Sequence, residues 1–217
     1  ILTNLFPNHL EQGRAPFNKQ QFVPLSARCA LEIFAPISRR FGLPTGAARR
    51  VSDREMIEGL PVIHPAFPTI PGLPSLNAAT LAARVLPSIF AEHRRRDERF
   101  DVLLASYAYP DGCAGIAVAR ALGLPVVVKC HGSDLNRAPR DPGARVQLRA
   151  LLPRADAVVV VRKKLGERAR ELGVCAERIR LVYNGVDETR FGIRDRAEAR
   201  AALGVAGDRD LVLYVGH

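Results

Sequence analysis

The 217-residue sequence contains no apolar run near the ~20 residues that a membrane-spanning helix needs. It also lacks a signal-peptide pattern, although it opens directly on the strand-like ILTNLF, so a few residues are expected upstream of Ile1. Its four cysteines (Cys29, Cys113, Cys130 and Cys175) are scattered without a C-x-x-C pair. That spacing argues against a zinc site and for reduced thiols in a cytosolic protein. No G-x-G-x-x-G follows the first strand pattern, which argues against a dinucleotide cofactor. A P-loop, a G-x-S-x-G nucleophile elbow and an H-E-x-x-H pair are absent as well. No cofactor and no metal are expected.

Lysine is scarce. Only Lys19, Lys129, Lys163 and Lys164 contribute to the 32 basic residues, and arginine supplies the rest of a formal charge of +10. Such a balance suits an anionic partner, whether a phosphate-bearing substrate or acidic lipid headgroups, and equally suits arginines spread over solvated helix faces. The one dense cluster, HRRRDER at 93–99, carries acids too. No aromatics interleave with the basic residues as a single-strand binder requires, so nucleic acid is not an expected partner.

What is present is alternation. Strand patterns at 1–5, 31–37, 60–67, 101–106, 125–131, 157–161 and 178–184 are separated by helix patterns near 16–29, 76–96, 112–122, 142–152 and 163–172. Asp111 and Asp141 are placed to cap the helices that follow them, and Gly123 and Gly173 to end helices. Pro24 shortens or kinks the first helix. Residues 38–58 fit no element and read as a surface excursion. Hydrophobic strands alternating with amphipathic helices predict an α/β fold, a Rossmann-like parallel sheet with helices on both faces. The pattern restarts near the end: Asp195 and Glu198 have capping-box spacing, and DLVLYVGH at 210–217 reads as a new strand. Two domains follow, 1–192 and a linker helix plus first strand of a second domain over 193–217.

In a parallel sheet all strand C-termini share one edge, and ligands bind in the crevice outside it. The stretches that leave the strands there are NLFPNHLEQGRAPFN, SYAYPDG, KCHGSDLN and NGVD. His131 either meets a ligand or is a structural histidine satisfied by backbone; Gly132 beside it clears space for close approach. Asp134 suits a turn cap and a ligand contact equally. Lys129 lies within a buried strand pattern, where an unpaired ammonium is costly, so it is expected to pair with an acid or point into the cleft.

Five stretches together resemble the N-terminal domain of family 4 glycosyltransferases, retaining enzymes of the GT-B fold: PNHLEQGRAPFNKQQF (7–22), YAYPDGCAGIAVARALGLPVVVKCHGSDLN (107–136), RADAVVVVRKKLGERARELGV (154–174), RIRLVYNGVDETRF (178–191) and LYVGH (213–217). The likeness is strongest to the branch that builds bacterial surface polysaccharides. It implies that a sugar passes from a nucleotide-sugar donor to a glycan or lipid-linked acceptor with retained configuration. The N-terminal domain holds mostly acceptor, and a C-terminal domain, expected beyond residue 217, holds most of the donor diphosphate. By the same resemblance His131 reaches the transferred sugar and Asp134 supports it. Asn8, Gly13 and Phe17 belong to the acceptor-side loop, while Ser106, Tyr107, Lys129, Gly132 and Ser133 line the cleft. Asn184, Gly185 and Asp187 form the segment near the crossing between domains. Arg162 stands where serine is commoner and removes a helix cap. The expected location is cytoplasmic, with peripheral contact to the inner membrane face. The rival reading is a non-catalytic module that binds a glycan or anionic lipid.

Overall fold

Valine-rich runs that are apolar on both sides can be buried only between layers of helix, and they set the architecture. The computed structural model describes residues 1–40, 51–95, 99–189, 191–207 and 209–214. Elements run α1 (Pro16–Ser26), β1 (Ile33–Phe34), β2 (Ile37–Arg40), β3 (Arg54–Ile57), β4 (Leu60–Ile63), β5 (Ala66–Thr69), α2 (Asn77–Arg95), β6 (Leu103–Ser106), α3 (Cys113–Leu122), β7 (Val126–Cys130), α4 (Ser133–Asn136), α5 (Pro142–Leu151), β8 (Ala157–Val160), α6 (Lys163–Glu171), β9 (Ile179–Leu181) and α7 (Arg196–Ala202). Two compact units result, Ile1–Asn184 and Gly185–His217.

In the first unit β6, β7, β8 and β9 pair in that order, all parallel. The strand expected at 1–5 contracts to Leu2, which bridges Phe34 on one side and Ala105 on the other. Beyond it the chain turns aside, because the Asn4 amide donates to Asp111 rather than to a neighbouring strand. Leu2 thereby joins β6 to β1, and β1 to β4, also in parallel. Alternate side chains enter different cores: Leu103, Ala105 and Phe34 join the larger cluster, while Leu104, Ile33 and Ala35 join the smaller. The larger holds Leu81 and Ile89 of α2, Ile116 of α3, Leu148 of α5 and Leu165 of α6; the smaller holds Phe22 of α1. Helices therefore cover both faces, as expected of the Rossmann-like sheet. Each fully buried Leu, Ile or Phe contributes about 1.5–3 kcal/mol.

The excursion expected at 38–58 is partly structured, and its residues 41–50 lie outside the described residues. β2 pairs parallel with β5, and β3 returns antiparallel on β4 through a two-residue turn. Glu58 and Gly59 both have positive φ there, 49° and 81°, as a twist-matched hairpin turn demands. Helix ends follow the sequence closely. Asp141 accepts from the Ala144 amide at 2.7 Å with Pro142 in the first turn, Gly123 is left-handed at φ 68°, and Arg162 leaves α6 without a side-chain cap. Asp111 is the exception. It is fully buried and accepts from Asn4, so α3 starts without a side-chain cap.

In the second unit Asp195 caps α7 through the amides of Ala197 and Glu198. Arg200 turns back onto the carbonyls of Ala206 and Arg209. Residues 211–214 form no strand, and Val212 and Tyr214 are exposed. A strand-forming sequence needs a neighbouring strand to satisfy its backbone. Residues 215–217 of that expected strand lie outside the described residues.

Candidate functional site

The loops that leave β6 and β7 meet around one imidazole. His131 follows β7, and its ring stacks on Tyr107, which follows β6, with centroids 4.9 Å apart and planes 16° apart. Phe17 at the start of α1 approaches at 5.1 Å. Nε2 of His131 lies 2.9 Å from the Ser106 hydroxyl, which itself donates to Oδ1 of Asn18 at 2.9 Å. The Asn18 amide nitrogen donates to the Leu5 carbonyl at 2.7 Å, which fixes that side chain's orientation. With the single Ser106 proton committed to Asn18, Nε2–H of His131 is the donor to Ser106, and Nδ1 carries the lone pair. Nδ1 has no protein partner among the described residues and is not sequestered. Burial, with Lys129 nearby, lowers the His131 pKa to about 4. The imidazole is therefore neutral near pH 7, and its remaining ring nitrogen is able to accept a hydrogen bond.

Asp134 holds this corner together. Its carboxylate accepts from the amides of Gly132 at 2.7 Å, Ala108 at 2.9 Å and His131 at 3.1 Å. It is buried, and burial raises its pKa against the pull of those amides. Gly132 has a φ of 144°, and a Cβ there would also sit 3.2 Å from the Arg162 guanidinium. Only glycine makes that turn without strain. Tyr107 takes a φ of 110°, rare outside glycine, at the point where it meets the imidazole. Burial raises the Tyr107 phenol pKa, and a hydrogen bond with Ser133 opposes the shift.

Lys129 is buried at the end of β7, and burial lowers its pKa. Of the two fates expected for it, an acid partner or a place in the cleft, the first is not met among the described residues. Its ammonium donates instead to the amide oxygens of Gln21 and of Asn184, the latter at 3.0 Å. Among the described residues its partners are thus two neutral acceptors, which favours an anionic or hydroxyl-rich guest. The tails of β6, β7 and the segment after β9 thus open on one rim, together with α1.

The remaining sequence-derived candidates divide. Asn8 is buried, and its carbonyl oxygen accepts from the Leu10 and Glu11 amides, so it shapes the loop after Leu2. Gly13 lies in that loop, with open space where a Cβ would stand. Gly185 and Asp187 fall in the second unit, where Asp187 accepts from Thr189. Asn18 and Gln21 were not singled out from the sequence. Their signal was a pair of polar residues one helical turn apart beside the fully buried Phe22.

The family model for Glycosyltransferase Family 4 matches residues 38–190. The chain belongs to glycosyltransferase family 4. Among curated relatives, TuaC of Bacillus subtilis strain 168, a glycosyltransferase named for teichuronic acid biosynthesis, is 26% identical across 99% of this chain and 57% of its own length. A D-inositol 3-phosphate glycosyltransferase of Nocardiopsis dassonvillei is 29% identical over 75% of this chain and 40% of its own. The chain thus spans about half the length of these relatives. Among solved structures, sucrose-phosphate synthase of Thermosynechococcus elongatus superposes with a TM-score of 0.60 at 20% identity, over 93% of this chain and 49% of that one. At that identity the likeness speaks for the fold, and the fold is that of a GT-B N-terminal domain.

Proposed function

We propose that this family 4 chain supplies the acceptor-side half of a retaining glycosyltransferase that moves a sugar from a nucleotide-sugar to a glycan or lipid-linked acceptor. The observation that carries the reading is the neutral His131, wedged between Tyr107 and Phe17 and held through Ser106 by Asn18, with its other ring nitrogen left without a protein partner among the described residues. A ligand hydroxyl donating to Nδ1 would be oriented without any proton being exchanged. The aromatic faces beside it suit the C–H face of a sugar ring. Asp134 acts as a positioning residue, since its oxygens are engaged by backbone amides. Lys129 and Asn184 would steady a second polar group on the same rim. Likeness to a protein named for teichuronic acid biosynthesis supports a surface-polysaccharide acceptor. Residues 193–217 are assigned to the start of a donor-binding domain. A cytoplasmic location with peripheral contact to the inner membrane face accords with this; no helix among the described residues is long and apolar enough to cross a membrane.

The test is sugar transfer by the complete protein that carries this chain. His131→Ala is expected to lower kcat by about 100-fold or more, the range of a lost transition-state contact, while the thermal midpoint moves only a few degrees. Equal loss of activity and of folding would return His131 to a purely structural role. The 217 residues alone are expected to be inactive, because by the family resemblance the groups that neutralise the leaving diphosphate lie in the C-terminal domain. Transfer from a nucleotide-sugar by this chain alone would overturn that part.

A further inference from the structure

The far end of α4, the turn after it, α5 and α6 line a half-open cavity of about 340 Å³. Four arginines line it: Arg140 from the turn, Arg145 and Arg149 one turn apart on α5, and Arg168 from α6. The acid among its lining residues is Glu171, and it is already engaged with Arg168 at 2.7 Å. Among the described residues, the side chains of Arg140, Arg145 and Arg149 have neither a hydrogen bond nor an ion pair. The cavity wall includes Leu135 and Leu172, both buried.

Folding does not account for this arrangement. Like charges four residues apart on a helix destabilise it by about 0.2–0.5 kcal/mol, and Arg140 adds a third positive charge from a different element. An arginine-rich composition scatters guanidinium groups over convex helix faces; here three partnerless ones converge on a concavity. A guanidinium fork matches phosphate oxygens in bidentate fashion, and several forks from different directions match a group with several charged oxygens better than a single carboxylate. The volume lies within the usual range for small-ligand sites. We propose that this cavity binds a phosphate group, presented either by a soluble phosphomonoester or by an anionic lipid headgroup. The assignment is independent of the sugar-transfer reading, because neither His131 nor any other rim side chain named above lines the cavity.

Two arms test it on the 217-residue chain at a salt concentration of ~0.15 M, where diffuse attraction is screened beyond about 8 Å. One is calorimetric titration with glycerol 3-phosphate. The other is co-sedimentation with phosphatidylcholine vesicles containing phosphatidylglycerol, against vesicles of phosphatidylcholine alone. Binding is expected in at least one arm, weakened about tenfold or more by Arg145→Gln with Arg149→Gln, and also by Arg140→Gln alone, as loss of charge-assisted bonds predicts. All three are exposed, so folding should be unchanged by circular dichroism. Binding in the titration alone makes the guest a soluble phosphate, and binding to vesicles alone makes it a headgroup. The matched pair Arg84→Gln with Arg120→Gln, on α2 and α3, should leave affinity within about twofold. Absence of binding in both arms, or an equal loss in the matched pair, would overturn the proposal.

Discussion

The two units of the chain treat apolar sequence in opposite ways. In the first, Val126, Val128, Val158 and Val160 are each no more than 2% exposed. In the second, Ile193, Val212 and Leu213 are each at least 75% exposed, although they too are branched aliphatic residues. The difference lies in neighbours, because strand propensity becomes a strand only where another backbone and a covering helix accept it. Hydrophobic residues alone do not make a core; partners in register do.

The largest expected effect is in the smaller core cluster, where Phe22 stacks on Phe6 at 6.0 Å. Phe22→Ala should cost the first unit about 3–5 kcal/mol in denaturant unfolding, and a loss under about 1 kcal/mol would show that this cluster packs loosely. Gly112→Ala comes next. Its Cβ would stand 2.9 Å from both the Tyr107 carbonyl and a Val128 methyl, and overpacking of that kind costs about 1–3 kcal/mol. In the second unit, Asp195→Ala should remove only the α7 cap, about 1 kcal/mol of helix stability measured as lost helicity. Val212→Ser, at a site 96% exposed, should move nothing by more than about 0.5 kcal/mol. If it destabilised as much as Phe22→Ala, the contrast between the units would collapse.

Acidity offers a sharper probe of the first unit. His131 has a folded pKa near 4, below its ordinary 6.5, so between those values the unfolded chain binds the extra proton. Its contribution is therefore complete above about pH 6.5 and is lost as pH falls toward 4. Asp111 and Asp134 are shifted the other way, upward by burial, and they destabilise the fold as pH rises through their folded values. Replacing His131 with glutamine should flatten thermal stability between pH 6.5 and 4 while leaving the carboxylate contribution. An unchanged slope would mean that another group titrates there.

Much of this was legible from local rules. The Val-rich strands at 126–130 and 157–160, the caps at Asp141 and Asp195 and the stops at Gly123 and Gly173 each depend on residues close in sequence. The shared rim followed from topology, since parallel strands leave their loops on one edge. The illegible parts depended on distant partners. Asp111 looks like a cap beside α3, yet it accepts from an amide 107 residues away. Lys129 finds amide oxygens rather than an acid, because α1 and the segment after β9 bring Gln21 and Asn184 to it. The β3–β4 hairpin was missed because its turn, Glu58-Gly59, lacks the asparagine or aspartate that usually takes positive φ at the first position, and the surrounding stretch has no clear period of two. His64 joins the Ala35 carbonyl to Glu55, which also meets His9 in the loop after Leu2. Nothing in the spacing of those three residues announces that chain.

One carboxyl group ties the chain's two central crossovers at a single point, since Asp134 accepts from Ala108 in one and from His131 and Gly132 in the other. Tyr107 and the imidazole it covers must then travel as one body. A guest arriving there meets a corner already set, so the entropy of arranging it is spent during folding and is not subtracted from affinity.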